Sequence, residues 1–241
     1  MKKLTRCVSK VCLRALAGIA MLLAVLGRSN LALASQKVEA QLIVDKSKAA
    51  FVDLINDGHY RWLPAYLRTA RAVIIFPQIL KAGFFLGGSG GTGVMLVHDV
   101  ATGGWSDPAF YTLGSVTYGL QIGGEAAEVV MVAVNQKAVD SLLMSSVKLG
   151  GDASVAIGPI GGGAKGTMTI PEVRADFISF AKTKGFYGGL NFEGSVMQVR
   201  DDLNSAYYGK HVTPSDILMK KNVAEPGANG LRSALQKALA R

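Results

Sequence analysis

The chain has 241 residues, 49% of them hydrophobic, enough for one sizeable core and too few for more than two small domains. Its net charge of +9 sits mostly at one end: residues 1–34 hold six of the 26 basic residues and none of the 17 acidic ones, which leaves a nearly balanced remainder and takes away the main support for a nucleic-acid partner. Both cysteines, Cys7 and Cys12, also fall there, so residues 35–241 have no disulfide, thiolate nucleophile or thiolate metal ligand.

In chain order, the N-terminus reads as a secretory signal. Lys2, Lys3 and Arg6 precede an apolar segment from Ala15 to Leu26, and Ala32-Leu33-Ala34 offers a small-residue cleavage site. The expectation is a cleaved segment 1–34 and an exported chain, periplasmic or secreted and peripheral to a membrane; an uncleaved anchor is the alternative, although the segment falls short of the roughly 20 residues a spanning helix needs. A helix is expected over 36–57, with Ile43, Ala50, Phe51, Leu54 and Ile55 near one face and Gly58 ending it. Its other surface is mixed in charge, so it either docks on the core or lies on a membrane. A short helix from Ala65 to Arg71 follows Pro64, then an apolar strand, Ala72 to Phe76, broken at Pro77.

Strands then dominate. Residues 115–122 alternate, with Val116, Tyr118, Leu120 and Ile122 on one face, and Val129 to Val134 is a continuous apolar run suited to a strand covered on both sides. Asn135 is placed to cap a helix over Gln136–Leu149, stopped by Gly150. Further strands are expected over 153–157, 167–170, 175–181, 190–192 and 195–200, with a turn at Thr183-Lys184-Gly185. Thr213-Pro214-Ser215-Asp216 has the form of a capped helix start, residues 225–230 read as a linker, and Leu231–Arg241 as a short amphipathic tail that docks or frays. Successive strands with one central helix imply an α+β fold: a mostly antiparallel sheet, strongly curved by its in-strand glycines into a barrel or folded-over sandwich, with helices packed on it.

Short motifs invite enzymatic readings that fail on context. Gly88 to Gly93 fits a dinucleotide-binding glycine pattern, but Val94-Met95-Leu96-Val97 continues as strand where that pattern needs a helix. Gly87-Gly88-Ser89-Gly90-Gly91 fits a nucleophile elbow, which also needs a strand-to-helix turn and a later histidine held by an acid; His98 with Asp99, or His211 with Asp216, are the residues available to a serine hydrolase built on Ser89. The glycines around Lys165 lack phosphate-loop spacing, His59, His98 and His211 lack metal-ligand spacing, and Asp201-Asp202 beside Arg200 looks like a solvated turn. No catalytic residue, cofactor or metal site is expected.

Gly104-Trp105-Ser106-Asp107-Pro108, followed by the stretch from Gly119 to Gly124 and by Glu128 to Asn135, resembles the SYLF domain family. Supporting positions are Gly83 within Lys81–Phe84, Gly93, Gly123, Gly151 to Pro159 with Gly158, Lys184-Gly185-Phe186, and Gly194 within Glu193–Ser195; the resemblance covers roughly residues 38–208. It implies a single binding domain over 35–222, followed by a linker and tail over 223–241. It also implies that Gly83, Gly93, Trp105, Pro108, Gly119, Gly123, Gly158 and Gly194 serve structure. Eukaryotic members bind phosphoinositide-containing membranes through an N-terminal amphipathic segment and basic residues, and some bind actin. For an exported chain the expected partner becomes an anionic lipid surface, with an envelope protein as the alternative. The residues implied are Lys37, Lys46 and Lys48 on the first helix, where Asp45, Asp53 and Asp57 dilute the charge, and Arg61, Arg68, Arg71 and Lys81 after it.

Overall fold

A computed structural model describes residues 34–83, 86–99, 102–118, 123–159, 174–184 and 192–240. Helix α1 covers 34–56. Its buried positions, Ala40, Val44, Ser47, Ala50, Phe51 and Leu54, recur at helical spacing, with Ile43 and Ile55 half-buried beside them. Helix α2, Leu63–Thr69, carries Pro64 in its first turn and buries Leu63, Tyr66 and Leu67.

Strand β1, Ala72–Gly83, runs straight through Pro77, so the expected break is a bulge inside one long strand. Against β2, Leu86–Asp99, the pairing steps from Ile75↔Val94 to Leu80↔Gly90; against β5, Gly123–Ala133, it steps from Phe76↔Val129 to Ile79↔Ala127. Pro77 and Gln78 stand opposite the single residue Glu128 of β5, one residue in surplus, and a proline without an N–H is tolerated where the ladder is already interrupted. Strand β3, Gly104–Trp105, pairs with the end of β2, and β4, Ala109–Tyr118, pairs with β2 without a register shift. The predicted strand at 115–118 is thus the end of β4, with Val116 exposed; Leu120 and Ile122 lie outside the described residues.

Helix α3, Gln136–Leu142, is capped by Asn135, whose side-chain oxygen accepts from the Ala138 N–H at 2.8 Å. It ends seven residues short of the expected Leu149, because Ser146–Lys148 forms strand β6 and Val147 is buried in the sheet rather than on a helix stripe. Strands β7, Val155–Ile157, β8, Phe177–Lys184, and β9, Val196–Val199, complete the sheet; β8 includes Thr183 and Lys184 of the predicted turn, whose Gly185 lies outside the described residues. The predicted strand over 167–170, and most of that over 190–192, lie outside the described residues. Asp201–Tyr208 is helix α4, so Asp201 and Asp202 occupy a helix first turn, where acids suit the dipole, and not a free turn. Helix α5, Pro214–Leu218, has the expected capping box between Thr213 and Asp216. The 225–230 segment is a short 3-10 turn leading into helix α6, Asn229–Leu239, which docks and buries Leu231, Leu235 and Ala238.

The strand order is β6-β9-β4-β2-β1-β5-β8-β7, with β3 beside β2, and every ladder is antiparallel except β7–β8. The sheet curls into a half-barrel in an α+β fold. One face joins Ile74, Phe76, Met95, Tyr111, Val129 and Met131 to residues of α3 and α5. Its other face sets Val73, Ile75, Val94, Phe110, Val130 and Phe180 against α1, α2, α4 and α6. Both faces are covered along 129–133, as the continuous apolar run implies.

A buried carboxylate ties the corner where β5, α3, β7 and β8 meet. Asp176 accepts hydrogen bonds from the Asn135 side chain at 3.0 Å, Lys137 Nζ at 3.3 Å, and the Ser154 N–H and hydroxyl at 2.9 Å each. Burial works to raise its pKa, but these donors outweigh it and hold the group at about 2.

Candidate functional site

The glycine run is strand from end to end, so it offers neither a phosphate-facing helix N-terminus nor a nucleophile elbow. Ser89 shares a 2.7 Å hydroxyl–hydroxyl hydrogen bond with Ser115. His98 lies nine residues along the same strand, roughly 30 Å away at the strand rise. It is buried, stacks on Trp105 at 4.6 Å, and places Nδ1 3.1 Å from the Ala70 carbonyl oxygen. His59 is exposed and bonded to Asp57, and His211 is exposed. Among the described residues no three His, Cys, Asp or Glu side chains converge as a metal would need.

The family positions that are described have structural reasons of several kinds. A Cβ on Gly93 would overlap the Ile75 carbonyl oxygen and lie 2.7 Å from the Phe76 ring; one on Gly158 would lie 2.5 Å from the Phe180 ring. Gly194 turns at φ +80°, a conformation that favours glycine. Gly83 and Gly123 pair across β1 and β5, Trp105 packs on His98, and the Pro108 carbonyl accepts from the Tyr208 hydroxyl at 2.7 Å. Gly119 lies outside the described residues.

The predicted basic residues are spread over the surface. Lys37 pairs with Glu225 at 3.3 Å, and Arg61 stands over the Trp62 ring at 5.7 Å. Arg68 is exposed in the last turn of α2, and Arg71 borders a groove with Gln136 and Lys221. Lys81 is half-buried on β1, opposite Ser89 and Glu125. Lys46 overlooks a groove of about 350 Å³ between α1 and the β1 bulge, whose wall also holds Asp53 and Glu128.

Lys48 meets a second cation, Lys237, in a groove unlike that of Arg71 and Lys221, whose wall also holds Asp99. Lys48, Val52 and Ile55 of α1 face Gly230, Ala234 and Lys237 of α6 across a groove of about 340 Å³, and none of its lining residues is acidic. Beside it α1 turns outward a stripe in which Val38 is 69% and Leu42 50% exposed. The acids expected to dilute this face are largely occupied: Lys182 reaches Asp53 at 2.8 Å and Asp57 at 3.2 Å, and Asp45 accepts from Gln41 at 3.0 Å. The His59 N–H and ring, with Lys182, bring the Asp57 carboxyl to about 2. Lys237 was not expected, because it reaches Lys48 only once α6 has docked; the outward stripe was readable as Val38 and Leu42 one helical turn apart.

Behind the groove, α6 is held through the buried Asp107. This residue accepts from the Glu225 N–H at 3.2 Å and from Arg232 Nη1 at 3.3 Å, and burial pushes its pKa up despite both donors.

The Ysc84 family, described as "Las17-binding protein actin regulator", matches residues 114–238. An SH3 domain-containing protein of Schizosaccharomyces pombe is 34% identical over 168 residues, covering 68% of this chain and 38% of the relative. Protein YSC84 of Saccharomyces cerevisiae is 31% identical over 176 residues, covering 72% and 37%. The SH3 domain-containing YSC84-like protein 1 of Rattus norvegicus is 28% identical over 164 residues, covering 68% and 48%. The chain therefore spans less than half the length of these curated relatives. No solved structure matches it. With a family match over more than half its length, the chain belongs to the Ysc84 family, whose SYLF domain its sequence resembles.

Proposed function

We propose that the chain is a non-enzymatic, exported module that docks on anionic membrane surfaces. The observation that carries this reading is the α1–α6 groove, where Lys48 and Lys237 flank an apolar channel without acidic lining, next to the exposed Val38 and Leu42. Apolar side chains entering the headgroup boundary and lysines attracted to lipid phosphates act together in such a contact, each basic residue contributing about 1 kcal/mol near the surface. The separation of Ser89 from His98 supports a binding role over hydrolysis. Export rests on the basic and apolar character of residues 1–34. Cosedimentation of the chain with phosphatidylglycerol and phosphatidylcholine vesicles tests the reading: binding confined to the anionic vesicles and weakened by salt supports it, and equal recovery from both defeats it.

A protein partner is the second reading, favoured by the family's description as Las17-binding and actin-regulating. For an exported chain that partner would be an envelope protein. Deleting residues 226–241 cannot test this cleanly, because α6 carries Leu231 and Leu235 into the core; Ser233→Arg on the outer side of the groove tests it without removing buried surface. A crosslinked partner lost with that substitution supports a protein contact, and one retained argues against the groove as its site.

A further inference from the structure

Gly91 and Gly93 are needed because β1 presses on them: a Cβ on either would overlap the backbone of Gln78 or Ile75. Gly88, Gly90 and Gly114 have no such reason. A Cβ on Gly114 would meet nothing within 4 Å, one on Gly88 or Gly90 would meet only a neighbouring carbonyl oxygen at 3.4 Å, and none of the three has positive φ. Glycine weakens a strand interior, and where packing does not require it, it marks a bulge, a tight bend of the sheet or a place that a ligand or another backbone approaches closely.

The ladder register puts these glycines on one open floor. Leu80 pairs with Gly90, Gly90 with Gly114, and Gly114 with Val196, so the four form a row across β1, β2, β4 and β9. Gly88 and Val116 form the next pair on the same face, which is the face that carries α1, α2, α4 and α6, since β2 and β4 alternate without a shift from Val94 and Phe110. The helices leave it uncovered: Leu80 is 56%, Val116 70% and Val196 42% exposed. Leu80 and Val196 stand about 14 Å apart, three strand spacings, with bare backbone between them.

Toward the helices the trough turns polar. Thr92 and Thr112 pair across β2 and β4, Gln198 lies opposite Thr112, and Arg200 Nη1 approaches the Thr92 hydroxyl at 3.5 Å while the rest of its guanidinium holds Asp202 at 2.7–2.8 Å.

We propose that this trough binds a single-chain anionic amphiphile, with its hydrocarbon chain on the Gly90–Gly114 floor between Leu80 and Val196 and its headgroup at Thr92, Gln198 and Arg200. The polarity gradient along the strands matches such a molecule end to end. A second copy of the sheet would rest on the rims formed by Leu80, Val116 and Val196 and leave the floor empty. The site is separate from the α1–α6 groove and requires no membrane.

The test is titration of the full chain with dansyl-labelled undecanoic acid below its micelle concentration and without vesicles, read by fluorescence. Gly114→Val fills the floor where space is open, and should retain the wild-type melting temperature or raise it while weakening the probe roughly tenfold. Gln198→Glu should weaken the carboxylate probe about threefold and leave the corresponding dansyl alcohol unchanged. The proposal is overturned if the wild type does not bind the probe or if Gly114→Val binds it equally. It is also overturned if light scattering shows a dimer that Gly114→Val separates without affecting the probe, since the trough would then be a self-interface.

Discussion

Gly93 on β2 lies directly beneath the backbone of Ile75 on β1, so close that any β-carbon at 93 would overlap the Ile75 carbonyl oxygen. The cause is the Pro77–Gln78 bulge, which gives β1 four residues, 76–79, where β2 has only 91–93. The glycine run is therefore a packing device on one face of the sheet, at Gly91 and Gly93, and a bare surface on the other, at Gly88 and Gly90.

That difference is measurable. Gly93→Ala should destabilise the fold by about 2–4 kcal/mol, because the obstacle is backbone that cannot rotate away. Gly114→Ala should be neutral or stabilising by about 0.5–1 kcal/mol, since it adds a Cβ in open space to an extended residue. Denaturant midpoints compare the two; a Gly93→Ala variant as stable as Gly114→Ala would contradict the role given to the bulge.

The elements legible in the sequence are those that satisfy one local rule. Helix α1, the buried β5 and the capping box of α5 each carry a periodicity or a cap that tertiary contacts leave intact. Strand β1 was expected to end at Pro77 because proline breaks a ladder, but a bulge removes the hydrogen bond that proline cannot make. Helix α3 looked longer because Val147 continues its apolar spacing; pairing with Met197 makes it a strand residue. Helix α4 went unseen because Arg200 provides no side-chain cap. The same limit applies to the candidate site. Lys48 is conspicuous beside other lysines, but Lys237 becomes its neighbour only through the docking of α6.

The docking of α6 rests on Asp107. Arg232→Ala leaves a buried carboxylate, already pushed toward its neutral form, with the Glu225 N–H but without its cation. A loss of about 1–3 kcal/mol is expected, together with faster proteolysis within 229–239. Unchanged cleavage in that segment would show that Leu231 and Leu235 hold the helix without the ion pair.

Asp176 gives the fold an acid-side dependence. Its folded pKa of about 2 lies below the ordinary 3.8, so its contribution is fully present above that ordinary value and is lost as pH falls toward 2. The contribution is on the order of 2 kcal/mol. Asp176→Asn should remove it and flatten stability against pH between about 4 and 2 relative to the wild type. Parallel acid-unfolding curves for the two proteins would contradict the assignment.

The central claim is that the α1–α6 groove meets an anionic surface. The direct measurement is the salt dependence of phosphatidylglycerol vesicle binding for the wild type and for Lys48→Glu/Lys237→Glu, both exposed positions where charge reversal leaves the core untouched. The account predicts roughly a hundredfold weaker binding or more for the double variant at low salt, with the two proteins converging as salt rises. Equal affinity of the two proteins at low salt would contradict it.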